Sequence, residues 1–327
     1  MTYDVIGIGN AIVDQIAHAD DAFLGQMGIE KGIMQLVERD RAEQLSGEMR
    51  NGTQTPGGSV ANTLAGLGAL GVSTAFVGKV KDDDLGRGYA QGMVASGTAF
   101  PNPPVADVDA PTSRCMIFVS PDGERSMSTY LGAGADISEA DVPQAAFEGA
   151  RILFLEGYLF DKDEGKTAFR RAAQLMRDAG GAAGLTLSDP FCCERHRGDF
   201  QRFIAEDLDY VIGNEQEWTT LYETDLDAAL ERAAADCRTV VCTRSGQPVV
   251  VIRDGQRTEV PVETVTPVDA TGAGDQFAAG FLYGYARGLD AETCGRMGVI
   301  AAAEVIGHVG PRPERDIGGL FREAGLG

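Results

Sequence analysis

The sequence predicts an α/β protein whose mostly parallel sheet is covered on both faces by helices, with a small β-sheet lid. Three observations carry this expectation. Short apolar runs alternate with helix-like stretches along most of the 327 residues, the signature of a parallel sheet wrapped in helices. Segments 11–37 and 113–131 break the alternation with strand-like pieces. Two glycine-rich junctions, Gly57-Gly58-Ser59-Val60-Ala61-Asn62 and Asp269-Ala270-Thr271-Gly272-Ala273-Gly274-Asp275, each lead into a long apolar helix.

In chain order, Val5 to Gly9 reads as a buried strand, and 11–37 as two strand-like pieces around a loop. Ser59 to Leu70 reads as a small-residue helix and Thr74 to Gly78 as the next strand. The proline-rich stretch Pro101 to Pro111 leads into a hairpin, Ser113 to Leu131, turning at Pro121-Asp122-Gly123; aspartate and glycine there suit a tight turn. Further strands are expected at Ile152 to Glu156, Ala183 to Leu187, Tyr210 to Gly213, Thr239 to Thr243 and Glu263 to Val268. Helices are expected at Glu164 to Ala179, Glu215 to Tyr222, Leu226 to Ala235 and Gln276 to Arg287. No repeat or low-complexity tract interrupts the pattern, so residues 1–327 are expected to form one domain, with 11–37 and 113–131 as its lid.

An apolar content of 43% can fill a sizeable core. A formal net charge of −21 repels nucleic acid and anionic membranes, so neither is an expected partner. An anionic substrate must then be held locally, by backbone amides, a metal ion and a few basic side chains. No apolar run has the length of a membrane span. Met1-Thr2-Tyr3-Asp4 passes straight into a strand, so no signal peptide is visible and a cytoplasmic location is expected. The six cysteines form no C-x-x-C pair and read as reduced, buried thiols. His18, His196 and His308 are too scattered for a metal site.

The second glycine-rich junction carries the chemistry. Glycines on either side of Ala273 allow close backbone approach, so the amides of Gly272, Ala273 and Gly274 can converge at a helix N-terminus, where free N–H groups and the helix dipole favour an anion. Asp275 closes the motif. A carboxylate beside bound phosphate is an electrostatic liability unless it takes a proton from an attacking hydroxyl. The junction therefore reads as phosphoryl transfer to an alcohol, whereas the plain alternative is a capped glycine turn. The first junction alone is equally well a glycine turn capped by Ser59.

Gly7 to Asp14, Gly57 to Asn62, Val77 to Gly86, Asn214-Glu215-Gln216-Glu217 and Asp269 to Asp275 stand in the order of the signatures of the ribokinase-like, or PfkB, family of sugar and nucleoside kinases, and the chain resembles that family over nearly its whole length. Glu124 to Ala133, Leu155 to Tyr158 and Leu187 to Phe191 are similar to adenosine kinases within it. Three positions depart from the pattern. Ser59 stands where ribokinases carry lysine, Lys81 where glycine is common, and Pro248 where a glycine is usual.

The resemblance implies a three-layer α/β/α ribokinase-like fold and an ATP-dependent kinase. It assigns Asp275 as catalytic base and Gly272, Ala273 and Gly274 as anion hole. Asn10, Asp14, Gly57, Gly58 and Asn62 would grip the acceptor's hydroxyls. Ile12, Met34, Leu36, Met127, Tyr158 and Phe191 would form its apolar wall, each equally readable as plain core. Glu156 would touch substrate hydroxyls or metal waters, or act as a structural carboxylate. Asn214, Thr243, Ser245, Gly246 and Thr271 would contact the nucleotide. Asn214 and Glu217 would hold Mg2+ through water, which suits an ion that keeps most of its hydration; K+ is left open. Arg125 would reach the phosphates on closure or stay at the surface. The expected reaction is adenosine and ATP to AMP and ADP. The alternatives are a sugar kinase acting on ribose or fructose and an inactive nucleotide-binding regulator. An uncovered lid face would suit a homodimer through the lid.

Overall fold

The computed structural model describes residues 2–49, 52–262 and 265–326. Fourteen strands follow in chain order: β1 (Val5–Ile8), β2 (Ile12–His18), β3 (Met34–Leu36), β4 (Thr53–Gly57), β5 (Thr74–Val77), β6 (Thr98–Ala99), β7 (Ser113–Val119), β8 (Arg125–Tyr130), β9 (Ile152–Glu156), β10 (Ala182–Thr186), β11 (Tyr210–Asn214), β12 (Thr239–Arg244), β13 (Gln247–Arg253) and β14 (Gln256–Val260). They form a nine-stranded sheet, β14-β13-β12-β11-β10-β9-β1-β5-β6, and a five-stranded sheet, β3-β8-β7-β2-β4.

The large sheet is parallel from β6 to β12. The central strands β1, β5 and β9 are buried on both faces, so their side chains alternate between two cores. Leu153 and Leu155 face helices Asp163–Asp178 and Arg197–Asp207, whereas Ile152 and Phe154 face helices Ser59–Ala69 and Ala273–Tyr285. This yields three α/β/α layers. The parallel-strand expectations hold to within a residue or two. The antiparallel pair β13–β14, which closes the sheet edge, lay outside the sequence reading. A strand does not form over 265–268; Val268 N–H instead donates to Ile306 O at 2.8 Å. Glu263 and Thr264, the start of that expected strand, lie outside the described residues.

β7 and β8 form the antiparallel hairpin around 121–123. β2 joins it in parallel, and β4, unforeseen in the sequence, pairs antiparallel with β2. Helices Asp21–Gln26 and Arg39–Glu48 cover the outer face of this sheet, packing Leu24, Ala42 and Leu45 on Met116 and Phe118. These helices cover the middle of that face, whereas β4 at the sheet edge stays largely exposed. All six cysteines are buried and free, and among the described residues no helix is long and apolar enough to cross a membrane.

Candidate active site

Chain progression in the large sheet reverses between β1 and β9: the chain leaves β1 toward β5 on one side and later builds β9 to β12 on the other. Ligands of open parallel sheets bind beyond the strands' C-terminal ends at such a reversal. Asn10 follows β1 and Glu156 ends β9, and both line a pocket of about 290 Å³ roofed by the small sheet.

Glu156, 1% exposed, accepts Asn10 N–H at 2.7 Å, Asn10 Nδ2 at 3.0 Å and Val60 N–H at 3.3 Å. Burial pushes its carboxyl up to about 7 against the pull of those donors. Its first job is thus to orient Asn10, whose Oδ1 stays buried without a partner among the described residues. An unsatisfied buried acceptor is costly, and this one belongs to a pocket-lining side chain, ready for a hydroxyl donor.

Asp14 on β2 is half-buried at the same pocket. Burial raises its carboxyl to about 7, opposed first by Arg312 and then by Arg125, while Asp275 adds to the rise. Gly57 lies directly against this carboxylate, where a Cβ would come within 2.3 Å of Cγ. Gly58, at φ +100°, turns the chain into the helix. Ile12, Met34, Leu36, Tyr158 and Phe191 line the pocket, with Cys115, Thr129 and Leu131, which the sequence reading missed. Met34, Leu36 and Phe191 stand at an open mouth; Phe191 is 70% exposed. Met127 lies outside the lining. It pairs with Met34 two residues before Thr129 on β8, and Thr129 takes the place nearer Asp14.

The end of the site where the sequence places an anion is built by helix Ala273–Tyr285. Gly272 caps it in the left-handed region at φ +78°. The Ala273 N–H is taken by Ala270 O at 3.2 Å, so the amides without a protein acceptor among the described residues are those of Gly272, Gly274 and Asp275. Ala273 supplies the spacing rather than a free donor. Asp275 is half-buried; its Oδ1 accepts Ser59 Oγ at 2.6 Å and its Oδ2 accepts Asn62 Nδ2 at 3.1 Å. Burial raises its pKa to about 6, and the two donors, Ser59 first, restrain the rise. The base candidate is therefore mostly ionised at neutral pH yet close enough to it to exchange a proton.

Asp269 organises the loop before the helix. It accepts Thr271 N–H at 3.0 Å, Thr271 Oγ1 at 2.6 Å and Gly310 N–H at 2.9 Å, and it pairs with Arg125 Nη2 at 2.7 Å. Thr271 is thereby committed to the loop and does not line the nucleotide cleft. Arg125 is largely covered at this loop rather than out at the surface, and so ties β8 to it.

A second cleft, about 950 Å³, opens beyond the ends of β11 and β12 and is lined by Asn214, Thr243, Ser245, Gly246, Ala273 and Gly274. Its apolar side, including Val265, Phe277, Val299 and Ile306, comes from segments without a motif. Pro248 lies on β13 outside the lining. Asn214 caps helix Glu215–Tyr222 and exchanges three hydrogen bonds with Glu217, which is 5% exposed and pushed up to about 7 by burial. Both Glu217 oxygens are engaged by Asn214. The pair therefore fits a hydrated Mg2+ met through water better than direct ligation, and among the described residues no cluster of three acidic, histidine or cysteine side chains offers an inner-sphere site.

The pfkB family carbohydrate kinase model matches residues 30–316. The solved adenosine kinase of Sinorhizobium meliloti is 44% identical and superposes at a TM-score of 0.89, covering 98% of this chain and 99% of that one. A "probable sugar kinase" of Rhizobium etli is 40% identical at a TM-score of 0.90, covering 99% of both chains. Among curated proteins, an uncharacterized sugar kinase of Archaeoglobus fulgidus is 30% identical over 250 residues, 76% of this chain and 96% of its own.

Proposed function

The chain belongs to the pfkB family of carbohydrate kinases, and from that premise we propose that this ATP-dependent kinase phosphorylates the 5′-hydroxyl of adenosine, giving AMP and ADP. The carrying observation is the mixed lining of the acceptor pocket. Asn10, Asp14 and Glu156 give it a polar part, Ile12, Met34, Leu36, Tyr158 and Phe191 an apolar part, and Asp161, Asp189 and Arg195 a charged rim. A ribose matches the polar part and a planar base the apolar part. The similarity to the S. meliloti adenosine kinase supports the same reading.

In this mechanism Asp14 accepts one of the vicinal ribose hydroxyls and Asn10 Oδ1 accepts the other. Asp275 takes the 5′-hydroxyl proton as that oxygen attacks the γ-phosphorus of ATP. The bond from γ-phosphorus to the bridging oxygen breaks and ADP leaves with its electron pair. Free amides of Gly272 and Gly274 face the charge that builds on the transferring group. Mg2+ bound through water near Asn214 and Glu217 would neutralise phosphate charge. Thr243, Ser245 and Gly246 flank the nucleotide, and the small sheet excludes water, a competing acceptor.

The second reading, a sugar kinase, draws support from the polar rim of the same pocket, Asp161, Asp189 and Arg195, and from the R. etli relative. ADP release measured with adenosine, ribose and fructose separates the two. Preferred turnover of adenosine is expected; preference for a sugar overturns the nucleoside assignment.

A further inference from the structure

Arg312 lies in the loop after helix Ala291–Val305, outside every motif. It reaches back across the site. Its Nη2 donates to Pro56 O on β4 at 2.6 Å and its Nε to Asn62 Oδ1 at 3.4 Å. The loop is held from behind. Gln276, next to Asp275 and 1% exposed, donates from one Nε2 to Pro311 O and Asn62 O, each at 3.0 Å. Gly310 is held by Asp269, and the Glu314 and Arg315 amides by buried Glu304. Among the described residues no carboxylate lies within ion-pairing distance of Arg312. A half-buried cation without a paired anion is costly, and the carboxylate that feels its charge is Asp14.

We propose that Arg312 is a positioning residue for phosphoryl transfer: its guanidinium fixes the Asn62 amide that holds Asp275 and places its charge toward Asp14. The inference rests on the roles proposed above for Asp275 and Asp14. An arginine can only donate, so it fixes Asn62 Oδ1 toward itself, and Nδ2 then points at Asp275. Loss of this contact frees the amide to turn an oxygen toward the base. The carbonyl of Pro56 ties the same guanidinium to the strand beside Asp14. Arg312 opposes protonation of Asp14 more strongly than Arg125 does. The other charged or titratable groups facing this region are Asp275, Glu156, the buried Cys115 thiol opposite Asp14, and Tyr89, whose hydroxyl donates to Gly57 O.

The test compares Arg312→Gln, which removes the charge, with Arg312→Lys, which keeps it but loses the fork. Steady-state kinetics are measured from acid to alkaline pH with adenosine and with fructose, whichever turns over carrying the readout, alongside thermal melting. Arg312→Gln is expected to raise the acceptor KM and lower kcat, each about tenfold. Its ATP KM should stay near wild type, and the acid limb of kcat/KM should move to higher pH. Arg312→Lys should keep the wild-type acid limb while kcat stays low. Wild-type acceptor KM, kcat and acid limb in Arg312→Gln overturn the proposal. So do equal losses for ATP and acceptor with an unmoved limb, which mark a merely structural arginine. Asp275→Asn run in parallel separates the premises: turnover retained there removes the base assignment, whereas its loss beside a normal Arg312→Gln removes only Arg312.

Discussion

Ser59 Oγ donates to Asp275 Oδ1 at 2.6 Å, so the hydroxyl at the first glycine junction steadies the carboxylate at the second, 216 residues later in the chain. Two helix starts meet here because helices Ser59–Ala69 and Ala273–Tyr285 pack together on one face of the sheet. A serine hydroxyl can reverse its role and accept. An asparagine at 275 therefore keeps both hydrogen bonds, accepting from Asn62 and donating to Ser59. Only its capacity to take a proton is lost.

Asp275→Asn is accordingly expected to lower kcat by roughly 10²- to 10⁴-fold with nucleotide binding kept. Stability should move the other way. The folded pKa of Asp275 is raised from 3.8 to about 6, so the folded state holds the proton more tightly than the unfolded chain. Stability from this group is complete at acid pH and is lost as pH rises through about 6. The asparagine variant escapes that loss, by at most roughly 3 kcal/mol. Its Tm should match wild type near pH 4 and exceed it above pH 7. Near-normal turnover removes Asp275 from the mechanism, and a Tm gap that widens toward acid contradicts the desolvated carboxylate.

The two glycines of the anion site should fail differently. Gly272 sits at φ +78°, and a Cβ there would lie 2.6 Å from Pro311 Cα. Gly272→Ala should therefore lower Tm as well as turnover. Gly274 has nothing within 4 Å of a built Cβ and no positive φ. Gly274→Ala should melt at or above the wild-type temperature, since alanine favours helix. Its methyl should still displace the phosphoryl group, costing on the order of 10²-fold in kcat/KM for ATP. A Gly274→Ala enzyme with normal ATP kinetics removes that amide from the site.

The parts of this site that a sequence displays are those whose backbone demands a special residue or whose helix start needs a cap: Gly58, Gly272, Asn214 and the buried strands alternating between two cores. Such constraints are local and leave a pattern. Arg312 leaves none, because its place depends on a loop about 40 residues past the anion motif folding back on Asn62 and Pro56. β4 escaped notice because Thr53-Gln54-Thr55-Pro56-Gly57 is polar and proline-bearing; it survives as an edge strand, where a missing N–H matters least. Arg125 stayed ambiguous because an arginine in a polar hairpin is ordinarily exposed, and only the folded loop brings Asp269 to it.

The proposed preference for adenosine can be tested at Phe191. It occupies the first turn of helix Pro190–Arg195, whose N-cap Asp189 accepts from Cys192 N–H at 2.8 Å. The ring stands 70% exposed at the pocket mouth. A large apolar ring in water contributes little to folding, so Phe191→Ala should leave Tm unchanged. When a purine enters the pocket, the ring gains a planar partner, and stacking with burial is worth roughly 1–3 kcal/mol. Truncation should then raise the adenosine KM by about five- to 150-fold, with kcat much less affected because Asp14 and Asp275 still hold the ribose end. Free ribose or fructose lacks the base and reaches only the polar half of the pocket, so its kinetics should barely change. Comparing kcat/KM for adenosine, ribose and fructose in wild type and Phe191→Ala checks this directly. If the truncation leaves adenosine use intact, Phe191 is not a wall of the acceptor pocket and the planar-base argument loses its strongest contact. A selective loss for adenosine ties the exposed ring to nucleoside recognition.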